Sequence, residues 1–158
     1  MEIWEAIATE RNRLADELER LTPEQWSTQT QCEAWDVRHA AAHVLLPFQL
    51  STGQFFGAMV KNRFNVDKMA VNETEKIASS MSNEEIIQAI RDNADNKWTP
   101  SIPGFGAEIP LSEVVVHGQD IRQALGQECP IPQETIDLTL EGIKKDKIRE
   151  DYQRRIGV

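Results

Sequence analysis

Two pairs of residues in this chain have the types and the spacing for metal or acid–base chemistry. They are Glu113 with His117 in SEVVVHGQDIRQALG and His39 with His43 in DVRHAAAHVLL. The members of each pair are four residues apart, so on a helix each pair projects from one face, one turn apart. The chain has three histidines, and all of them fall within these two motifs. Both runs are otherwise rich in Val, Ala, Leu and Ile, and a core-facing carboxylate or imidazole is costly to desolvate unless it is paired. Two such faces can meet inside a helical bundle, where metals are held by inward carboxylates and imidazoles from facing helices. Two histidines with one carboxylate form a ligand set of catalytic zinc, and also suit ferrous iron. The ordinary alternative for each histidine alone is a hydrogen-bonded core or surface group. The combination of an ExxxH pair with an HxxxH pair is what favours the metal reading.

Further residues border these motifs. Asp120 follows His117 by three residues and can hold its ring by a hydrogen bond, with a salt bridge to Arg122 as the equal alternative. Cys32 lies just before the DVRHAAAH run and is close enough in sequence to approach it, although a free cysteine is more often a small hydrophobe than a nucleophile. Trp4, Trp26, Trp35 and Trp98 read as packing residues, and Trp35 is the one that abuts the start of a motif-bearing helix.

The motifs need elements to position them. Ile3, Trp4, Ile7, Leu14, Leu18 and Leu21 recur at helical spacing over residues 2 to 20. LTPEQW then places Thr22, Pro23 and Gln25 in a capping-box pattern. Asp36 is positioned to cap a long, largely buried helix running through DVRHAAAHVLLPFQLSTGQFFGAMVKN, kinked at Pro47. Residues 66 to 80 form a weaker helical stretch. Ser82 and Glu85 open another capping box before a clean amphipathic helix. TPSIPGFGAEIP, with three prolines and two glycines, is a loop placed to edge a site. Pro110 starts the ExxxH helix, Gly126 ends it in a left-handed cap, and a last helix runs from about 133 to 155 into a charged, solvated tail. With no sustained alternation, repeat or low-complexity tract, the pattern predicts an all-α fold. Four main helices pack as an antiparallel up-down bundle with short extras, in one domain over 1–158 whose last part, from about 127, is a connecting segment and a charged helix.

Composition narrows the partners. Seventeen Lys plus Arg against 26 Asp plus Glu give a formal charge of -9, which disfavours nucleic acid and anionic membranes. No apolar run approaches the roughly 20 residues of a membrane span, and the acidic amphipathic N-terminus is unlike a signal peptide, so a cytoplasmic protein is expected. Cys32 and Cys129 are far apart with no CxxC partner, and free thiols are the default.

LTPEQWSTQTQCEAWDVRHAAAHVL, followed by a Pro and Gly loop and then IPLSEVVVHGQDIRQALG, resembles the N-terminal domain of the mycothiol-dependent maleylpyruvate isomerase family. That family is a branch of the DinB-like superfamily of metal-binding four-helix bundles. The resemblance spans residues 1 to about 130 and implies three metal ligands at His43, Glu113 and His117. It implies zinc or nickel as the metal, and a low-molecular-weight thiol such as mycothiol or bacillithiol as co-substrate for an S-transferase or isomerase acting on an electrophile. Homodimerisation follows by analogy. In this reading Arg38 and Arg122 can orient substrate carboxylates, though both are equally readable as exposed, and Trp35 can border a bound cofactor. His39 stands where the family has an acidic residue. It can serve as a fourth ligand, as a base behind the ligands or, the reading adopted, as a solvent-facing group. The smaller C-terminal domain of the isomerase has no counterpart in residues 127–158. A metal-dependent hydrolase and a non-catalytic dimeric binding module are the alternatives.

Overall fold

The structure, a computed structural model, describes residues 2–99, 106–128 and 130–145. The described residues form helices joined by short turns, and their only β feature is an isolated bridge between Gln29 and Asp36. No helix among them is long and apolar enough to cross a membrane.

Helix α1, Ile3–Leu18, buries Ile7, Leu14, Ala15 and Leu18 at the spacing read from the sequence. Thr22 caps the short α2, Pro23–Trp26, in a full capping box with Gln25. Helix α3, Val37–Val44, opens on Asp36, whose carboxylate accepts from the backbone N–H of His39 at 2.9 Å.

The single kinked helix expected after Asp36 is instead broken into three: α3, then α4, Leu46–Gln49, and α5, Thr52–Lys61. Proline lacks an N–H and its ring crowds the carbonyl four residues back, so Pro47 works against a continuous helix through His43. Leu50 then turns to an extended conformation, and Ser51 starts α5 afresh with its own capping box to Gln54. Nor is this segment largely buried. Ala58 is the one buried residue of α5, while Phe56, Val60 and Phe64 are exposed.

Helix α6, Val66–Ser80, is stronger than its polar sequence suggests. Its Met69, Thr74, Ile77 and Ala78 are buried, and it packs on α3. Helix α7, Asn83–Asp92, capped by Ser82 and Glu85, buries Ile86 and Ile90 and packs on α1 and α3.

Helix α8, Glu108–Ala124, starts two residues before Pro110, which sits in the first turn where a missing N–H is harmless. Gly126 takes φ +64°, the left-handed cap conformation expected of it. Helix α9, Gln133–Lys145, packs on α8. The remainder of the predicted last helix, the charged tail, Cys129 and residues 100–105 of the Pro and Gly loop lie outside the described residues.

Helix α8 is central, packing on α1, α3 and α9. Against this core the chain buries charges that its sequence pattern did not announce. Arg122 is 1% exposed, donates from Nε to Glu17 at 2.8 Å, and has Nη2 3.7 Å from Glu10. Arg11, also buried, donates to the carbonyls of Asn93 and Asn96, each at 2.9 Å, closing the C-terminal end of α7. Burial of Arg11 lowers its pKa to about 10.

Candidate metal centre

His43 is on the last turn of α3, while Glu113 and His117 share one face of α8. Packing of α3 on α8 brings the three together, with one ligand atom from each lying within 4.8 Å of the others. Both imidazoles direct Nε2 at the same oxygen of Glu113, His43 at 3.0 Å and His117 at 3.2 Å. Donors around a tetrahedral zinc at its usual bond lengths are roughly 3.3 Å apart. The two imidazole–carboxylate spacings therefore suit a small divalent cation, and the donor set is one that zinc takes.

The far nitrogen of each ring is also engaged. Nδ1 of His43 shares a hydrogen bond of 2.9 Å with the hydroxyl of Thr74 on α6, and Nδ1 of His117 donates to Asp120 at 3.2 Å. Such partners fix ring orientation and leave the near nitrogen for a ligand bond. In the protein without a cation, burial of His117 opposes its charge. Hydrogen bonds to Asp120 and Glu113, with their negative charge, outweigh burial and push its pKa up to about 9. A proton then holds a place that a cation would take, so uptake is coupled to proton release.

Trp35 closes one side. Its indole lies 4.3 Å from the ring of His43 and 5.3 Å from that of His117. Cys32 lies three residues before it, half-exposed, its carbonyl accepting from the backbone N–H of Trp35 at 3.0 Å.

His39 is not among the clustered ligand atoms. It is half-buried, with Nδ1 2.6 Å from Asp36 and Nε2 2.9 Å from Glu75. Burial opposes its charge, yet the two carboxylates raise its pKa. Arg38 is half-buried and donates to the carbonyls of Ala78 and Met81 and to Asn83, tying α3 to the end of α6. Arg122 is enclosed by Glu10 and Glu17. Both guanidiniums have partners within the fold. Asp120 pairs with His117 and not with Arg122.

Thr74 escaped the sequence reading. Its signal was present, because Met69, Ala70, Glu73, Thr74, Ile77 and Ala78 recur at helical spacing and place the hydroxyl on the inward face.

The chain matches the family model of the mycothiol maleylpyruvate isomerase N-terminal domain over residues 7–122. It matches no curated protein and no solved structure. The matched span runs from α1 through the motif-bearing part of α8, and includes all three clustered residues and Thr74. On that match the chain belongs to the mycothiol maleylpyruvate isomerase N-terminal domain family, within the DinB-like superfamily.

Proposed function

We propose that this protein binds one divalent metal ion, zinc or nickel, through His43, Glu113 and His117. In this reading it uses the ion to activate a low-molecular-weight thiol, such as mycothiol or bacillithiol, toward an electrophilic carbon. The observation that carries the reading is the convergence of two imidazole Nε2 atoms on one carboxylate oxygen, with both Nδ1 atoms engaged behind them. When bound, the cation supplies Lewis acidity that lowers the pKa of a coordinated thiol or water.

The chain's own residues do the rest. Glu113 brings the one negative charge among the ligands. Asp120 holds the His117 tautomer with its proton on Nδ1, and Thr74 accepts the corresponding proton of His43. Trp35 keeps water from one side of the centre. Three protein ligands leave a position for an exogenous one, the arrangement of catalytic and not of structural sites. The thiol sulfur then bonds to the electrophile, and the proton lost from sulfur reaches the product carbon or solvent. On a conjugated double bond the π pair moves onto the conjugated acceptor; protonation of the adjacent carbon with the C–S bond kept gives a transferase product, and return of the pair after rotation, with thiolate expelled before that carbon is protonated, gives an isomerase. The fold that goes with this reading is a four-helix bundle of α1, α3, α7 and α8, acting in the cytoplasm and able to pair as a homodimer.

The test is elemental analysis of protein purified without a metal-affinity step, wild type beside Glu113→Ala. About one equivalent of zinc or nickel in wild type, absent from the variant, supports the site. No metal in wild type even after reconstitution sinks it. Turnover of electrophiles by the loaded protein should require added thiol, and turnover without one would replace this chemistry by hydrolysis through an activated water.

A further inference from the structure

Trp35 is 6% exposed, and its indole touches both imidazoles of the centre. It tilts by 33° over His43 and stands at 68° to His117, while the two imidazoles cross each other at 4.8 Å and 85°. The three rings therefore restrain one another pairwise. His43 comes from α3 and His117 from α8, and a side chain the size of indole reaches both.

The loop before α3 holds this indole in place through its backbone. The Trp35 carbonyl accepts from the Thr30 hydroxyl at 2.6 Å, from the Gln29 side-chain amide at 2.8 Å and from the Thr30 backbone N–H at 3.1 Å. A carbonyl oxygen offers two lone pairs, so three donors converging on one is a strong anchor. The indole Nε1 is buried without a hydrogen-bond partner among the described residues. Proteins seldom leave a buried donor unpaired, and a purely apolar side chain here would avoid doing so. The reach of the ring is what tryptophan adds.

We propose that Trp35 is a positioning residue of the metal centre, its indole fixing the crossed arrangement of His43 and His117 that aims both Nε2 atoms at Glu113. This rests on the metal reading above. Each imidazole is engaged at its two nitrogens, Nδ1 by Thr74 or Asp120 and Nε2 by Glu113, and contacts in the plane of a ring leave it free to tilt about the line that joins them. The indole, wedged against both rings, removes that freedom and links the site to the loop carrying Gln29 and Thr30.

Zinc competition titrations on the chelator-stripped full chain test this, comparing wild type with Trp35→Phe, Trp35→Leu and Thr30→Val. Trp35→Leu should weaken zinc binding at least about tenfold, the scale on which groups supporting a ligand act. Trp35→Phe, which keeps a ring of shorter reach, should fall between it and wild type. Thr30→Val leaves the indole intact but removes one anchor of its carbonyl, and should also weaken binding. The visible absorption of the cobalt-loaded protein should change in Trp35→Leu, because the ligand arrangement is altered.

Wild-type zinc affinity in both Trp35→Leu and Thr30→Val, with only a lower melting temperature of the metal-free forms, overturns the proposal and leaves the metal site standing. A wild type that binds no zinc overturns both. Should Trp35→Leu not fold, as judged by circular dichroism, Thr30→Val decides.

Discussion

The hydroxyl of Thr74 sits 2.9 Å from Nδ1 of His43, on the opposite edge of the ring from the 3.0 Å contact between Nε2 and Glu113. A hydroxyl both donates and accepts, so it can serve either imidazole tautomer. With the His43 proton on Nε2 facing Glu113, Thr74 donates to Nδ1. With Nε2 given to a cation, the proton moves to Nδ1 and Thr74 accepts it. Thr74→Val, close in shape, should therefore lower zinc affinity about tenfold or more, and Thr74→Ser should restore it. Calorimetric titration of the stripped proteins measures this, and equal affinity of the valine variant and wild type would leave Thr74 a packing residue.

Metal removal should be visible as lost stability. A ligand present at about 100 times its dissociation constant adds about 2.7 kcal/mol to a fold that alone binds it. Chelator should lower the melting temperature of wild type, and zinc should restore it. Glu113→Ala should show neither response. A variant that still gains stability from zinc would move the binding site elsewhere.

The candidate centre was legible because its residues come as two i, i+4 pairs on apolar helices, and helical periodicity turns such pairs into faces. What periodicity cannot report is which faces meet. His39 has the same spacing from His43 as Glu113 has from His117, yet it lies one turn earlier on α3, where Asp36 and Glu75 engage its ring and it takes no part in the cluster. A proline in an apolar helical run fits a bend as well as a break, and what makes it a break here is the cap at Ser51, which starts a new helix. From the sequence, Arg122 is readable as a substrate-orienting group or as an exposed one. Its burial depends on Glu10 and Glu17, more than a hundred residues earlier in the chain, which no local pattern connects to it.

Arg122→Met should behave as a stability defect and not as a binding defect. Removing the guanidinium takes the buried positive partner from Glu17 and Glu10, and because the partly exposed Arg13 still pairs with both, the cost falls below the about 3–5 kcal/mol of an uncompensated buried charge. Chemical denaturation should show that loss while zinc stoichiometry stays near one. A variant of normal stability with a raised Michaelis constant for a carboxylate substrate would show that the guanidinium is reachable after all.

His39 gives the fold a pH dependence. Its folded-state pKa is raised above the ordinary histidine value of about 6.5 by Asp36 and Glu75, against the opposing effect of burial. Its stabilising contribution is complete below that ordinary value and disappears as pH rises through the raised one. In metal-free protein, the stability difference between wild type and His39→Gln should therefore shrink from pH 6 upward. His117 titrates in the same sense toward about 9, but it is present in both proteins and cancels in the difference. A difference that stays constant with pH would mean that His39 contributes no charge to the contact.

His43 and Glu113 are 70 positions apart, and α4 to α7 lie between them. A cation held by both closes that whole stretch into a ring, as a reversible crosslink. A covalent crosslink around a ring of this length would remove unfolded-state entropy worth about 4 kcal/mol. No short segment of the chain presents all three candidate ligands, so a bound ion would act late in folding, once α3 and α8 have docked. Its effect should therefore appear chiefly as slower unfolding, with the rate of refolding little changed.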